Sequence, residues 1–259
     1  MEWRERDGVR WLEATLPGAG AAFTTRLGGV SESPFGALNL GLFTADDRDA
    51  VVENRRRLAA ALGFATDRVA IAHQVHEAAL IDHVDPSSPF SSFASCEAGE
   101  ERREPSAAIA EADGHVVTAG GMAALVFVAD CVPVALAGPA GVAMLHCGWR
   151  GLAAGIVAKG AAAIGATDAA IGPSIGRCCY EVGEEVLAAF DHLGEGVASA
   201  RMLDLPEVAR RLLAEAGVKR VETSGLCTSC EPELFFSHRR DHGRTGRQAG
   251  LVWREAREG

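Results

Sequence analysis

Three short stretches of the chain carry residue types that can bind a metal or attack a substrate. They are His73-Gln74-Val75-His76, Ala129-Asp130-Cys131 and His146-Cys147-Gly148-Trp149-Arg150-Gly151. Each lies at the edge of an apolar run, where a strand would end and a loop begin. Two imidazoles and a thiolate make a zinc ligand set that leaves one coordination position for water or substrate, whereas a structural zinc site wants four protein ligands. His73 and His76 are three apart. On an extended segment such a pair points to opposite faces, so spacing leaves open which one joins the set. Cys131 follows Asp130 in an otherwise apolar segment, where a buried carboxylate needs a partner or a task. Cys131 with His146 as its base also gives a competing reading, a cysteine hydrolase that needs no metal.

Other stretches offer anion chemistry. A strand, a Gly-bearing turn and a helix around 146–151 would set free backbone N–H groups and Arg150 beside His146. Residues 171–183 are rich in Gly and Pro just after a strand, which suits either close approach to a ligand or a stiff structural loop. Ser237 to Arg247 concentrates four arginines, a set that serves phosphate binding or a solvated loop equally well. Cys227 and Cys230 form a C-x-x-C, but no second pair follows at zinc-ribbon spacing, so the sequence assigns that pair no metal.

The elements that must position these groups follow from periodicity. A short strand at Phe23–Thr25 leads into a loop over Gly28-Gly29. Helical spacing of Val51, Val52, Leu58, Ala59 and Leu62 predicts a helix over 46–62, stopped by Gly63. A strand through Val69–Ala72 should carry His73 and His76. Gly114–Thr118 reads as a strand, and Met122–Leu136 as an apolar run broken by Asp130-Cys131 and by Pro133, which should disrupt sheet bonding. Val142–Leu145 reads as a buried strand, 151–164 as a small-residue helix, 169–172 as a strand, 184–192 and 206–216 as helices, and Leu234–Phe236 as a final strand. Continuous apolar strands alternating with helices indicate a layered α/β architecture, expected as one domain over 1–259. The polar, Pro- and Ser-rich segment 85–108 reads as a mobile surface loop.

Composition narrows the function classes. The chain has 259 residues, 48% hydrophobic and 23% charged, with formal net charge −10. That charge argues against non-specific binding to nucleic acid or an anionic membrane. No apolar run reaches the roughly 18 residues needed to span a bilayer. The first residues show no apolar core of a secretory signal, so a cytoplasmic protein with reduced cysteines is expected. Eight histidines, mostly scattered, do not form the histidine-rich cluster that multicopper oxidation of phenols requires.

Further motifs join the three stretches in a fixed order: Thr24-Thr25-Arg26, Gly28-Gly29-Val30-Ser31, Asn39-Leu40-Gly41, Asn54-Arg55, Gln74-Val75-His76, Ala112-Asp113-Gly114, Ala129-Asp130-Cys131-Val132-Pro133, Gly172-Pro173-Ser174, Cys178-Cys179-Tyr180-Glu181-Val182-Gly183 and Phe235-Phe236-Ser237 before Arg239-Arg240-Asp241. In this order the chain resembles the YfiH family, also labelled laccase-domain or polyphenol oxidase proteins and more recently purine nucleoside phosphorylases. The resemblance implies a mixed α/β fold of layered sheets with helices outside. It implies zinc held by His76, Cys131 and His146, with copper as an alternative ion, and so sets His73 aside. It also implies phosphorolysis of purine nucleosides, including a methylthioadenosine-type substrate, and deamination of adenosine; the older label implies a copper-dependent polyphenol oxidase. Purine nucleoside and phosphate are then the partners. Chemistry suggests Asp113 or Asp130 for proton transfer, and Arg26, Arg55, Arg150 and Arg240 for holding phosphate. The chain departs from the usual pattern at Glu77, at His238, and at Cys147, whose extra thiol stands beside His146 as a rival ligand.

Overall fold

Short blocks of small and β-branched apolar residues, cut by Gly, Pro and Asp, favour many brief strands over long helices. The computed structural model describes residues 1–85, 91–94 and 109–255. The first half holds strands β1 (Glu2–Arg6), β2 (Val9–Leu16) and β3 (Ala19–Thr24), helix α1 (Arg48–Leu62), then β4 (Val69–Ala70), β5 (Leu80–His83), β6 (Gly114–Val117) and β7 (Ala123–Val128). The second half holds β8 (Val132–Gly138), β9 (Gly141–Cys147), α2 (Trp149–Ala153), α3 (Ile156–Ile164), β10 (Asp168–Ile171), α4 (Glu184–Ala188), the short pair β11 (Ala198–Ser199) and β12 (Met202–Leu203), α5 (Leu205–Glu215), β13 (Arg220–Thr223) and β14 (Gln248–Arg254).

These strands form two six-stranded sheets, ordered β1-β2-β3-β14-β7-β4 and β13-β10-β8-β9-β6-β5. Most neighbours are antiparallel; β4 with β7, β10 with β13 and β5 with β6 are parallel. The sheets face one another across a core that includes Phe23, Ala124 and Val126 of the first and Ala135, Met144 and Ala170 of the second. Helices α2 to α5 cover the far side of the second sheet, where Leu136, Leu145, Ile156 and Val208 pack together. Helix α1 covers the first sheet through Leu58 and Ala59 against Leu38, Leu40 and Leu251. This is the expected layered α/β fold with helices outside.

Local chemistry explains the boundaries. Asp47 caps α1 by accepting from Ala50 N at 2.9 Å, a bond worth about 1 kcal/mol, and Gly63 ends the helix at φ 82°. Asn54, on the inner face of α1, is wholly buried yet satisfied. Its amide donates to Ser31 Oγ and to the carbonyls of Ala37 and Asn39, and its oxygen accepts from Val30 N. One side chain thereby fixes the loop after β3.

Several boundaries differ from the sequence reading. The 151–164 segment is two helices, because Gly155 turns the chain at φ 81° between α2 and α3. The helix expected over 184–192 stops at Ala188 and gives way to a 3-10 turn at Asp191–Leu193. Residues 71–76 leave the sheet after β4. Leu234 ends a turn, Phe235 and Phe236 are irregular, and the last strand is β14, a central strand of the first sheet. Pro133 sits inside β8 after all. Its carbonyl accepts from Gly172 N, one residue past the end of β10, so its missing N–H falls where that ladder has run out. Of the segment 85–108, residues 86–90 and 95–108 lie outside the described residues.

A buried histidine pair lies on neighbouring strands of the second sheet. His83 Nε2 is 2.9 Å from His115 Nδ1, with the rings stacked. Burial pushes the His115 imidazole down to about 3, and burial likewise lowers His83 against a small opposing pull from Asp82. An unfolded histidine titrates near 6.5, so between that value and about 3 the unfolded chain binds more protons than the folded one, and stability falls as pH falls. One such proton contributes a slope of about 1.4 kcal/mol per pH unit. The His115→Gln variant should show a flatter fall in its denaturation midpoint between about pH 6.5 and 5 than the parent chain; equal slopes would place the acid sensitivity elsewhere.

Candidate metal and substrate site

Register builds the site. In the second sheet Gly114 pairs with Leu145, and Val132 pairs with Cys147. Asp113, His146 and Cys131 therefore fall at one end of β6, β9 and β8, beside one another. Cys131 arrives there because the chain crosses from β7 in the first sheet to β8 in the second through Ala129–Cys131. His76 comes from the opposite side, on the segment after β4. The Gln74 side chain holds that segment like a strand partner, donating to Phe127 O at 2.8 Å and accepting from Phe127 N at 2.7 Å.

One ligand atom from each of His76, Cys131 and His146 lies within 4.8 Å of the others. The two imidazole rings meet edge to face, with centroids 4.8 Å apart. His146 is buried, Cys131 half-buried and His76 exposed. Two nitrogens and a sulfur suit zinc or copper, and the three protein donors leave a position for a fourth ligand. The donor set therefore fits the ion that the family resemblance implies.

Alternation along β9 settles the neighbouring thiol. Val142 and Met144 face the other sheet, while Ala143, Leu145 and Cys147 face the helices. Cys147 is thus packed in the helix-side core, and burial raises its thiol well above the usual range. It turns away from the ligand set that His146 joins. Gly148 follows, and a Cβ there would stand 3.3 Å from Cys131 Sγ and 3.4 Å from His76 Cδ2, so glycine lets the turn lie flat on the ligands.

Asp113 organises the histidines. Its carboxylate is fully buried and accepts from the backbone N–H groups of Val75, His76 and Glu77 at 3.2, 2.9 and 2.7 Å. His146 Nδ1 lies 2.7 Å from Asp113 Oδ1, leaving Nε2 as the ring nitrogen available to a metal. Burial raises the Asp113 carboxyl, but the His146 contact and the N–H groups of Glu77 and His76 outweigh it and bring it below its ordinary value. Burial likewise pushes the Cys131 thiol up, yet the charge and hydrogen bonds of His146 and His76 bring it down to about 6. Burial lowers His146, but the Cys131 thiolate and Asp113 carry it up to about 9. The two shifts share one cause, the contact between the groups, which favours the thiolate on Cys131 and the imidazolium on His146.

Strain marks the same place. His76 has φ 62° and Asp130 has φ 86°, conformations that cost about 1–3 kcal/mol each in a residue with a side chain. The Asp113 bond to His76 N holds the first. For the second, Asp130 accepts from Thr228 Oγ1 at 2.6 Å and Arg239 N at 2.7 Å, while its carbonyl accepts from Ile175 N. Both oxygens of Asp113 and both of Asp130 are thus already bound to protein, an arrangement for positioning rather than for the proton transfer suggested from sequence.

The ligand set opens into a cavity of about 520 Å³. Phe43, Phe127, Trp149 and Tyr180 give it aromatic walls, and Arg55, Arg150, Arg239 and Arg247 reach its lining. His73 also lines it, stacked on Phe43 at 5.2 Å and outside the ligand set. Arg26 and Arg240 do not line it. Arg26 donates to the carbonyls of Gly36 and Pro232, and Arg240 is held by Asp241, Thr228 O and Phe235 O. Tyr180, Arg239 and Arg247 were not singled out as site residues in the sequence; only the density of polar and Gly residues around them hinted at a ligand. A second group of side chains that could hold a metal, among the described residues, joins Cys178, Cys179, Cys227 and Cys230. Asp113→Asn should lower metal affinity about 10- to 100-fold, because an amide cannot both accept the three N–H groups and orient His146 as a carboxylate does; metal titration monitored by competition with a chelator checks this.

Comparison with known proteins agrees with the geometry. A family model described as multi-copper polyphenol oxidoreductase laccase matches residues 20–255. The chain is 38% identical to purine nucleoside phosphorylase YlmD of Geobacillus stearothermophilus, over 96% of each chain. It is 39% identical to a purine nucleoside phosphorylase of Deinococcus radiodurans, over 97% of this chain and 96% of that one. The crystal structure of Bacillus licheniformis YfiH superposes with a TM-score of 0.84 at 32% identity, covering 98% of this chain and 99% of that one. With motifs, fold and nearly full-length similarity in accord, the chain belongs to the multi-copper polyphenol oxidoreductase laccase family, among relatives that include YfiH and YlmD.

Proposed function

We propose that the protein is a zinc-dependent purine nucleoside phosphorylase that uses His76, Cys131 and His146 as ligands, and that the same cavity deaminates adenosine and accepts a methylthioadenosine-type nucleoside. The observation that carries the reading is the three-donor set opening on a cavity with aromatic walls and several guanidinium groups. Flat rings suit a purine, and arginines suit phosphate. The names of the relatives support the same substrate class.

In phosphorolysis a phosphate oxygen bonds to ribose C1′ while the glycosidic bond breaks, its electron pair leaving with the purine, which takes up a proton. Positive charge builds on the ribose, so the phosphate must be held beside it. Arg150, stacked over Trp149 at 4.5 Å, and Arg239, stacked over Tyr180 at 5.0 Å, are stiffened by those rings and suit that task. Arg247 is anchored to the carbonyls of Thr245 and Gly246 and adds fixed positive charge. Asp113 acts as a positioning residue for His146 and for the backbone of His76. A zinc-type ion on the three ligands would supply Lewis acidity at the cavity wall.

One observation favours a second reading. Cys131 and His146 lie in contact, and that contact lowers the thiol and raises the imidazole, as a cysteine nucleophile with a histidine partner requires. By contrast, the two ligand clusters among the described residues include no histidine-rich group for four-electron oxygen chemistry, so the polyphenol oxidase reading has less support.

Incubation with adenosine or inosine should release free base and ribose 1-phosphate in equal amounts, and only when phosphate is present. Cys131→Ala should lose bound metal at this site and reduce turnover at least about hundredfold. Unchanged turnover in that variant would remove Cys131 from the site. Inactivation by alkylation together with indifference to chelators would favour the cysteine nucleophile.

A further inference from the structure

Four cysteines meet on the far side of the loops that wall the cavity. Cys178 Sγ and Cys179 Sγ lie 3.4 and 3.5 Å from Cys230 Sγ, and all four sulfurs of Cys178, Cys179, Cys227 and Cys230 fall within 4.8 Å of one another. Zinc–sulfur bonds of 2.3 Å in a tetrahedron put sulfurs about 3.8 Å apart. The spacing is therefore that of a shell closing on one ion.

The backbone prepares the thiols as ligands. Each pair sits on a hydrogen-bonded turn: Cys179 N and Tyr180 N donate to Gly176 O, and Cys230 N and Glu231 N donate to Cys227 O. Gly176 N donates to Cys227 Sγ at 3.3 Å, the kind of bond that stabilises a thiolate. Gly176 also lies against both turns, since a Cβ on it would meet Cys178 Sγ at 3.4 Å and Cys227 Cβ at 3.5 Å. The turns are stitched together by an isolated bridge between Ser174 and Cys227 and by Thr228 N donating to Ser174 O.

We propose that Cys178, Cys179, Cys227 and Cys230 bind a second metal ion, a four-thiolate zinc site that is structural. With four protein ligands the shell has no open position, so its effect is mechanical. Binding sends the thiol protons to solvent and ties residues 176–180 to residues 227–231. Tyr180 belongs to the first segment. The second leads through Thr228, which grips Asp130, to Arg239, whose N–H grips the same carboxylate. The ion thus braces the wall that carries Tyr180 and Arg239, and it does so whether or not the ligand set of His76, Cys131 and His146 holds its own metal.

Elemental analysis of protein purified under reducing conditions tests this directly. The parent chain should hold two equivalents of zinc, His76→Ala one, and Cys227→Ser/Cys230→Ser one. Cobalt substituted into the His76→Ala variant should show the absorption of a four-sulfur shell. In the double-serine variant, amides of 174–183 and 226–240 should exchange about tenfold faster or more, while the core strands stay protected. A His76→Ala protein with no bound metal, or with Cys178 or Cys179 in a disulfide to Cys230 by mass spectrometry, would overturn the proposal. Should the double variant fail to fold, the His76→Ala stoichiometry and its cobalt spectrum still decide. Loss of metal from the double variant alone, with His76→Ala unchanged from the parent, would leave the four-thiolate site standing and refute the other.

Discussion

The contact on which the site depends is the buried carboxylate of Asp113. A charge taken out of water is costly unless its lone pairs are met, and here three backbone N–H groups and one imidazole meet them. Because the donors come from residues 75–77 and from β9, satisfying the carboxylate joins a strandless segment to the strand ends of the second sheet. The orientation of His146, the left-handed turn at His76 and the direction in which both imidazoles face all follow from that one group. Glutamate would carry the same charge one methylene too far, into a space that the neighbouring N–H groups already define.

Sheet register does the rest. His146 and Cys147 are adjacent in sequence and opposite in fate, because a strand turns successive side chains to opposite faces. One thus joins the ligand set and the other becomes a core residue among Leu152, Ile156 and Val157. The concern raised by a second thiol beside a ligand is answered by geometry. Likewise the twin loops over 172–183 and 224–241 matter because Asp130 ties both of them to the crossing between sheets.

Much of this was legible in the sequence. The three ligand stretches stood out because each lies at the edge of an apolar run, and the strands at Val142–Leu145 and 169–172 and the helix ended by Gly63 were plain from periodicity. The break in the 151–164 helix was not, since a glycine among many small residues gives no distinct sign of a positive φ. Pro133 misled, because a proline is tolerated where a neighbouring strand has already ended, and that depends on partners far away in sequence. Strand β14 was missed among the basic loop residues before it. Nor did the choice of arginines follow from charge: Arg240 sits in the richest cluster yet spends its guanidinium on Asp241 and two carbonyls, while Arg247, a few residues on, reaches the cavity. The cysteine group escaped for a similar reason. Its second half is an adjacent pair, not a second C-x-x-C, so spacing gave no signal that the fold would bring the halves together.

The crossing from β7 to β8 has a kinetic meaning. His76 is held against the first sheet through Gln74 and Phe127, whereas Asp113, Cys131 and His146 belong to the second. The ligand set therefore does not exist in either sheet alone, and His76 lies tens of residues before Cys131 and His146 along the chain. Closing those loops is an entropic cost that must be met before any of the contacts is gained. The set is complete only where the two layers are docked, so the affinity of this site for a metal would report on the closure of the seam between them.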